Sequence, residues 1–198
     1  MIWESSTWKG ELLQDLKAIR DLVQQVNFSE SGPPFVQTMI AIEKFAFVSA
    51  YVIRKLSEAH KISDELEAAV FPVLRFQRVK PERPIHLFNW HRFEEFYDLN
   101  APVEKTMTLR QLCNMFIHSF IFCPAVDEDS SQFDTILFNS DHTKDDALFE
   151  IKLETLFELV SSVIQDRIEG IRFGSGGIVE KSRTSRDYYD PGTQQNQT

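Results

Sequence analysis

The stretch from Met39 to Leu56, MIAIEKFAFVSAYVIRKL, most constrains what this chain can fold into. A helix built from it is apolar on almost every side, and such a helix is normally the central one, covered by neighbours. Glu43, Lys44, Arg54 and Lys55 interrupt the apolar run. Its longest uncharged part, Phe45–Ile53, has nine residues, well below the ~20 that span a bilayer. The expectation is a central helix in a water-soluble core, with no membrane partner.

That helix should run from about Phe35 to His60, because Ser-Gly-Pro-Pro at 31–34 breaks the chain just before it. Ahead of the break, Leu12, Leu16, Ile19, Val23 and Val26 mark one face of a first helix over Lys9–Asn27. A third begins at Thr108, where Thr108 and Gln111 have the spacing of a capping box. Leu109, Leu112, Cys113, Phe116, Ile117 and Phe120 give it a core face. The last helix, about Glu154 to Ile171, would bury Leu156, Phe157, Val160, Val163, Ile164 and Ile168.

Between these lie weaker β signals. Residues 70–79, VFPVLRFQRV, have the alternating bulk of an edge strand or extended loop. Asn89 is placed to cap a short helix, WHRFEEFYDL. FIFCPAV, an acidic turn at Asp127–Ser131 and FDTILF predict a β-hairpin, and LFEIKL (148–153) a third short strand. The expected fold is therefore mainly α. A four-helix core would carry a small antiparallel hairpin or three-stranded meander between helices three and four. Residues 1–173 would form one domain, and the aperiodic segment 174–198 a polar tail.

At 198 residues and 42% hydrophobic composition the chain can bury a real core. Its net charge of −9 argues against indiscriminate binding to nucleic acid or anionic membrane. The N-terminal MIWESSTWKGELL has no basic, then apolar, leader pattern, and two cysteines read most simply as free thiols. A cytoplasmic protein is expected.

One element gathers polar side chains. Arg110, Asn114 and His118 recur every fourth residue along helix three, TLRQLCNMFIHSF. At about 100° per residue, Arg110 lies at the margin of the core face, Asn114 farther round and His118 nearly opposite. A guanidinium fork to hold phosphate, an amide to orient it and an imidazole to move a proton would form a composite site. The same residues have a structural reading. His118 complements the helix dipole near the C-terminus, and Arg110 extends its stem along apolar surface or pairs with a carboxylate.

LRQLCNMFIHSF resembles the third helix of HEPN-superfamily proteins, all-helical domains of bacterial defence and toxin–antitoxin systems. IRKLSEAHKIS (53–63) is similar to their companion segment. The likeness covers roughly residues 9–171 as a plan of elements, and only 108–120 carries a motif. The family's active members are metal-independent ribonucleases working as dimers, with an arginine, a following polar residue and a histidine a few positions later. On this chain those are Arg110, Gln111 and His118. Seven residues separate Arg110 from His118, one more than the family's usual upper limit, and eight steps turn a helix by about 80°.

Two functional expectations follow from the resemblance. In the first, the chain binds RNA or a nucleotide and cleaves RNA without metal or cofactor. His118 would take the 2′-hydroxyl proton, Arg110 would stabilise the phosphate charge, Asn114 would support them, and a homodimer would deepen the groove. In the second, it is a non-catalytic protein–protein interaction module, an inactive relative or partner subunit.

A further nucleic-acid surface is suggested by Arg75, Arg78, Lys80, Arg83 and Arg92, interleaved with Phe76, Phe88 and Trp90. The basic groups would meet phosphates and the rings would stack on bases. The alternative is an edge strand with charged outward positions and buried aromatics. A metal site at Cys113, His118 and Cys123 is not expected, because Cys113 and His118 point about 140° apart on one helix. The sequence contains no glycine-rich phosphate loop.

Overall fold

A computed structural model describes residues 4–25, 33–127, 131–174 and 177–183. Along them run α1 (Ser5–Gln25), α2 (Pro33–Glu58), α3 (Asp64–Ala68) and β1 (Val70–Gln77). After a 3-10 turn at Phe93–Glu95 come β2 (Val103–Thr108), α4 (Leu109–Ile117), β3 (Ser119–Asp127) and β4 (Gln132–Ser140). The chain then forms β5 (Ala147–Lys152), α5 (Leu153–Gln165), β6 (Ile168–Gly174) and β7 (Gly177–Arg183).

The expected mainly-α four-helix bundle of HEPN type is not the fold. Five strands build one antiparallel sheet in the order β2-β1-β5-β4-β3, and the protein is α+β. Helices α1, α2, α4 and α5 pack on one face, against Val73, Phe133, Ile136, Phe138, Phe149 and Ile151. The other face carries Phe76, Ile121, Leu137 and Leu148, closed over by Ile85, Phe96 and Tyr97 from the connection between β1 and β2. With both faces covered, strands read as continuous apolar runs. Ile136, Leu137 and Phe138 are all buried, as are Ala147, Leu148 and Phe149. The hairpin and meander expected as an appendage are the centre of the sheet.

Residues 70–79, expected at an edge, supply β1, which pairs with β2 on one side and β5 on the other. The true edge on that side, β2, is exposed at Val103, Glu104, Lys105 and Thr106. With no buried face it left no apolar period to read. In place of the helix WHRFEEFYDL there is only the 3-10 turn. Asn89, buried, accepts from the His86 amide at 2.8 Å and donates to the Pro84 carbonyl at 3.1 Å, locking a turn that displays Leu87 and Phe88 to solvent. The last helix stops at Gln165. Beyond it β6 pairs with β7, so part of the expected tail is strand, while 184–198 lie outside the described residues.

Other elements follow their sequences closely. α1 buries Leu12, Leu16, Ile19 and Val23, and Val26 lies outside the described residues. The capping box opens α4, where the Gln111 amide donates to Thr108 Oγ1 at 3.3 Å and Gln111 Oε1 accepts from the Thr108 amide at 2.8 Å. By length and composition α2 also resembles a membrane span, but Ile42, Phe45, Ala46, Val52, Ile53 and Leu56 pack into the core. Contrary to the expectation of a covered central helix, α2 leaves Val36, Ile40, Phe47, Val48 and Tyr51 exposed.

Candidate functional site

The two segments singled out in the sequence, 53–63 and 108–120, meet where the C-terminal end of α2 packs against the start of α4. Between them is a cavity of about 220 Å³ lined by Arg54, Ser57, Glu58, His60, Glu67 and Arg110, with Ile53, Leu109 and Cys113 as its apolar wall.

Arg54 is held in place from two sides. Its Nε donates to Glu58 Oε1 at 3.0 Å and its Nη1 to Asn114 Oδ1 at 3.1 Å. Asn114 does not line the cavity and touches its wall through Arg54. Arg110 sits in the first turn of α4 with an exposed side chain, and makes no hydrogen bond or ion pair among the described residues. Both carboxylates of the cavity are engaged. Hydrogen bonds from Lys55 and then Arg54 hold Glu58 below the usual carboxylate range. Glu67 accepts from Ser57 Oγ at 3.2 Å and from Lys181 Nζ at 3.2 Å, and Lys181 also meets Asp64 at 2.9 Å. Two arginines (Arg54 and Arg110) and two carboxylates (Glu58 and Glu67) line the cavity, and both carboxylates also have a lysine partner outside its lining, Lys55 and Lys181.

His60 reaches the cavity through an uncommon backbone conformation. The Lys61 amide donates to the Leu56 carbonyl at 2.8 Å and the His60 amide to that of Ser57 at 2.9 Å. This is the Schellman end of a helix, and it puts His60 at φ 57°, the left-handed position that glycine usually fills. A side chain kept there at a cost of about 1 kcal/mol, beside two arginines, is a reason to look for a role.

His118 is not part of this cavity. α4 ends at Ile117, and His118 is its C-cap, with φ −109° and an exposed side chain. Its carbonyl accepts from the Asp141 amide at 3.4 Å, on the side of the turn between β4 and β5. Arg110 and His118 therefore occupy opposite ends of a nine-residue helix. The residues missed by sequence reasoning, Arg54 and His60, stand in the quoted segment 53–63. His60 follows the last apolar position of α2 where a glycine would end a helix, which was the available signal.

Within the basic segment Arg78 and Arg75 are tied to the turn before β5, while Lys80, Arg83 and Arg92 keep much of their side chains in solvent. Arg78, with a side chain 3% exposed, donates to the carbonyls of Lys80 (3.2 Å), Arg83 (2.6 Å) and Lys144 (3.1 Å) and to Asp145 Oδ1 (2.7 Å). Arg75 meets Asp146 at 2.9 Å, Arg83 pairs with Glu95 and lies over the Phe96 ring, and Arg92 stands 3.7 Å from Glu95. Lys80 remains exposed. Of the interleaved aromatics, Phe76 is core, Trp90 is half-buried and Phe88 is 86% exposed.

Among the described residues no cluster of three or more His, Cys, Asp or Glu could hold a metal ion. Cys113 and Cys123 are free, and burial pushes the Cys113 thiol up to about 12, far from a reactive thiolate. Comparison with protein-family models, curated proteins and solved structures finds no match. The fold and the cavity together define an α+β protein with a small pocket lined by two arginines in its helical layer.

Proposed function

We propose that the cavity between α2 and α4 binds the phosphate of a nucleotide or of an RNA end. The observation that carries this reading is the unpaired guanidinium of Arg110 beside the braced guanidinium of Arg54, with His60 on the same wall. Arginine forks match phosphate oxygens in two-pronged hydrogen bonds. A volume of about 220 Å³ has room for about seven waters at ~30 Å³ each, enough for a phosphate and part of the sugar that bears it. Recognition is by charge and shape at one terminal group, which suits a chain whose total charge repels the length of a nucleic acid. The reading is one of binding, because the imidazole proposed for catalysis from sequence, His118, is two helical turns from Arg110.

The test is fluorescence anisotropy with a labelled RNA carrying a 5′-phosphate and the same RNA without it. Wild type should prefer the phosphorylated strand, and added AMP should compete. Arg110→Ala should weaken binding about 10-fold or more, the loss of one charge-assisted hydrogen bond of roughly 1.5–3 kcal/mol, with the fold intact because the side chain is exposed. Equal binding of both strands, or no change in the mutant, would remove the cavity from phosphate recognition. Chelator-resistant cleavage that persists in Arg110→Ala would move the activity elsewhere on the protein.

His60→Gly separates backbone strain from side-chain use. Glycine takes φ 57° without penalty, so stability should rise by about 1 kcal/mol while affinity for the phosphorylated strand falls. A stabilised protein with unchanged affinity would make His60 a bystander.

A further inference from the structure

We propose that α1 and α2 form a self-association face whose occupant is a second copy of this chain. Val36, Ile40, Phe47, Val48 and Tyr51 fall within about 120° of one another around α2, opposite its core side, and Ile40 and Tyr51 are 53% and 56% exposed. From Val36 to Tyr51 the stripe extends about 22 Å at 1.5 Å per residue. Trp8, also exposed, lies on the same side of α1 as Asp15, two turns away. Between the two helices runs a groove of about 190 Å³ with Ile19, Leu22, Phe45 and Val48 in its walls. A soluble monomer seldom leaves a contiguous apolar area of this kind open.

Charge identifies the occupant. Asp15 stands on the α1 rim of the groove and Lys44 on the α2 rim, and neither makes an ion pair among the described residues. A two-fold axis through the groove sets Asp15 of each copy against Lys44 of the other, so one unpaired carboxylate and one unpaired ammonium satisfy each other twice. The segment 184–198 is a poor complement to the stripe, since it contains Tyr188 and Tyr189 but no aliphatic side chain larger than a proline. An interface built mainly on one helix stripe should give a weak dimer, with a dissociation constant on the order of 10 µM.

Sedimentation equilibrium of the full chain from about 1 to about 300 µM, bracketing that constant, reads the association directly. Wild type should pass from monomer to dimer, and Ile40→Glu with Tyr51→Glu should remain monomeric with an unchanged circular dichroism spectrum. Asp15→Lys and Lys44→Asp should each weaken the dimer at least several-fold, and the two together should restore it. A monomer throughout the range overturns the proposal. So does failure of the double exchange to recover what each single exchange loses. If dimers form only after residues 184–198 are removed, the tail is the occupant and the proposal falls. If wild type stays monomeric and binds neutral phosphatidylcholine vesicles through this face, the bilayer is the occupant and it falls equally.

Discussion

Arg78→Ala should lower the unfolding free energy by about 3 kcal/mol, shifting the midpoint of thermal unfolding down by roughly 6–12 °C for a chain of this size. The guanidinium is buried, and it ties the start of the connection after β1 to the turn between β4 and β5. It binds the carbonyls of Lys80 and Arg83 after β1 and that of Lys144 in the turn between β4 and β5. Removing it takes a charged donor from three carbonyls, an interaction of about 1.5–3 kcal/mol each at most. Lys80 keeps the Arg83 amide at 3.2 Å and Lys144 the Tyr97 hydroxyl at 2.5 Å, so the Arg83 carbonyl is the one left unmatched. The ion pair to Asp145 adds little, because that carboxylate is largely exposed. Arg78→Lys should recover only part of the loss, since one ammonium cannot replace a planar fork reaching opposite sides. Urea unfolding of the three proteins at constant slope measures this. A loss under 1 kcal/mol in Arg78→Ala, with weakened RNA binding, would show the side chain free to meet phosphates as its sequence context suggests.

The contrast at Arg78 shows what sequence carries and what it omits. Five basic residues with interleaved aromatics look alike whether they face solvent or staple loops. The deciding partners, Asp145, Asp146 and Glu95, come from distant turns or from a helix that does not form. The local signals fared differently. Thr108 and Gln111 cap α4 as their spacing predicts, and the apolar positions of α1 and α4 face the core. The hairpin of β3 and β4 was legible because two apolar runs flank an acidic turn. The sheet as a whole was not, because β1 pairs with β5 across a long separation, Leu74 opposite Glu150, and β2 is exposed along most of its length. An antiparallel sheet covered on both faces presents continuous apolar runs, which are easily assigned to a helical core.

The candidate site divides along the same line. Arg110 and Asn114 share α4, so their proximity follows from one helix. Their nearest functional neighbours, Arg54 and His60, are brought there only by the packing of α2 on α4. His118 fails to join them because α4 ends one residue before it, where the chain turns into β3. The apolar outer side of α2 was read as a covered one for a simple reason. Composition reports that a side chain is apolar, but not whether its partner is within the same chain.

Asn139→Ala should destabilise the protein by about 2–4 kcal/mol, because this fully buried amide completes three connections at once. Its Oδ1 accepts from the Ile121 amide at 3.0 Å, where the register of β3 on β4 shifts. Its Nδ2 donates to the Tyr97 hydroxyl at 2.9 Å and lies 3.4 Å from the Ala147 carbonyl. The Tyr97 hydroxyl in turn donates to the Lys144 carbonyl at 2.5 Å, the same oxygen that Arg78 grips. Tyr97→Phe removes the hydroxyl shared by the last two links, leaves the Asn139 bond to the Ile121 amide in place, and should cost about 1–2 kcal/mol. The double mutant should cost less than the sum of the two, by on the order of 1 kcal/mol. Independent additivity would break the proposed chain of hydrogen bonds. Alkaline pH tests the same chain by another route. Burial raises the Tyr97 hydroxyl from 10 to about 12, so folding favours its protonated form. That contribution is complete below the unfolded value near 10 and disappears as the pH rises through the folded value near 12. Wild type should therefore lose stability between these limits, and Tyr97→Phe should lose less over the same interval. Identical slopes in the two proteins would mean that the hydroxyl ionises as freely in the folded state as in the unfolded one.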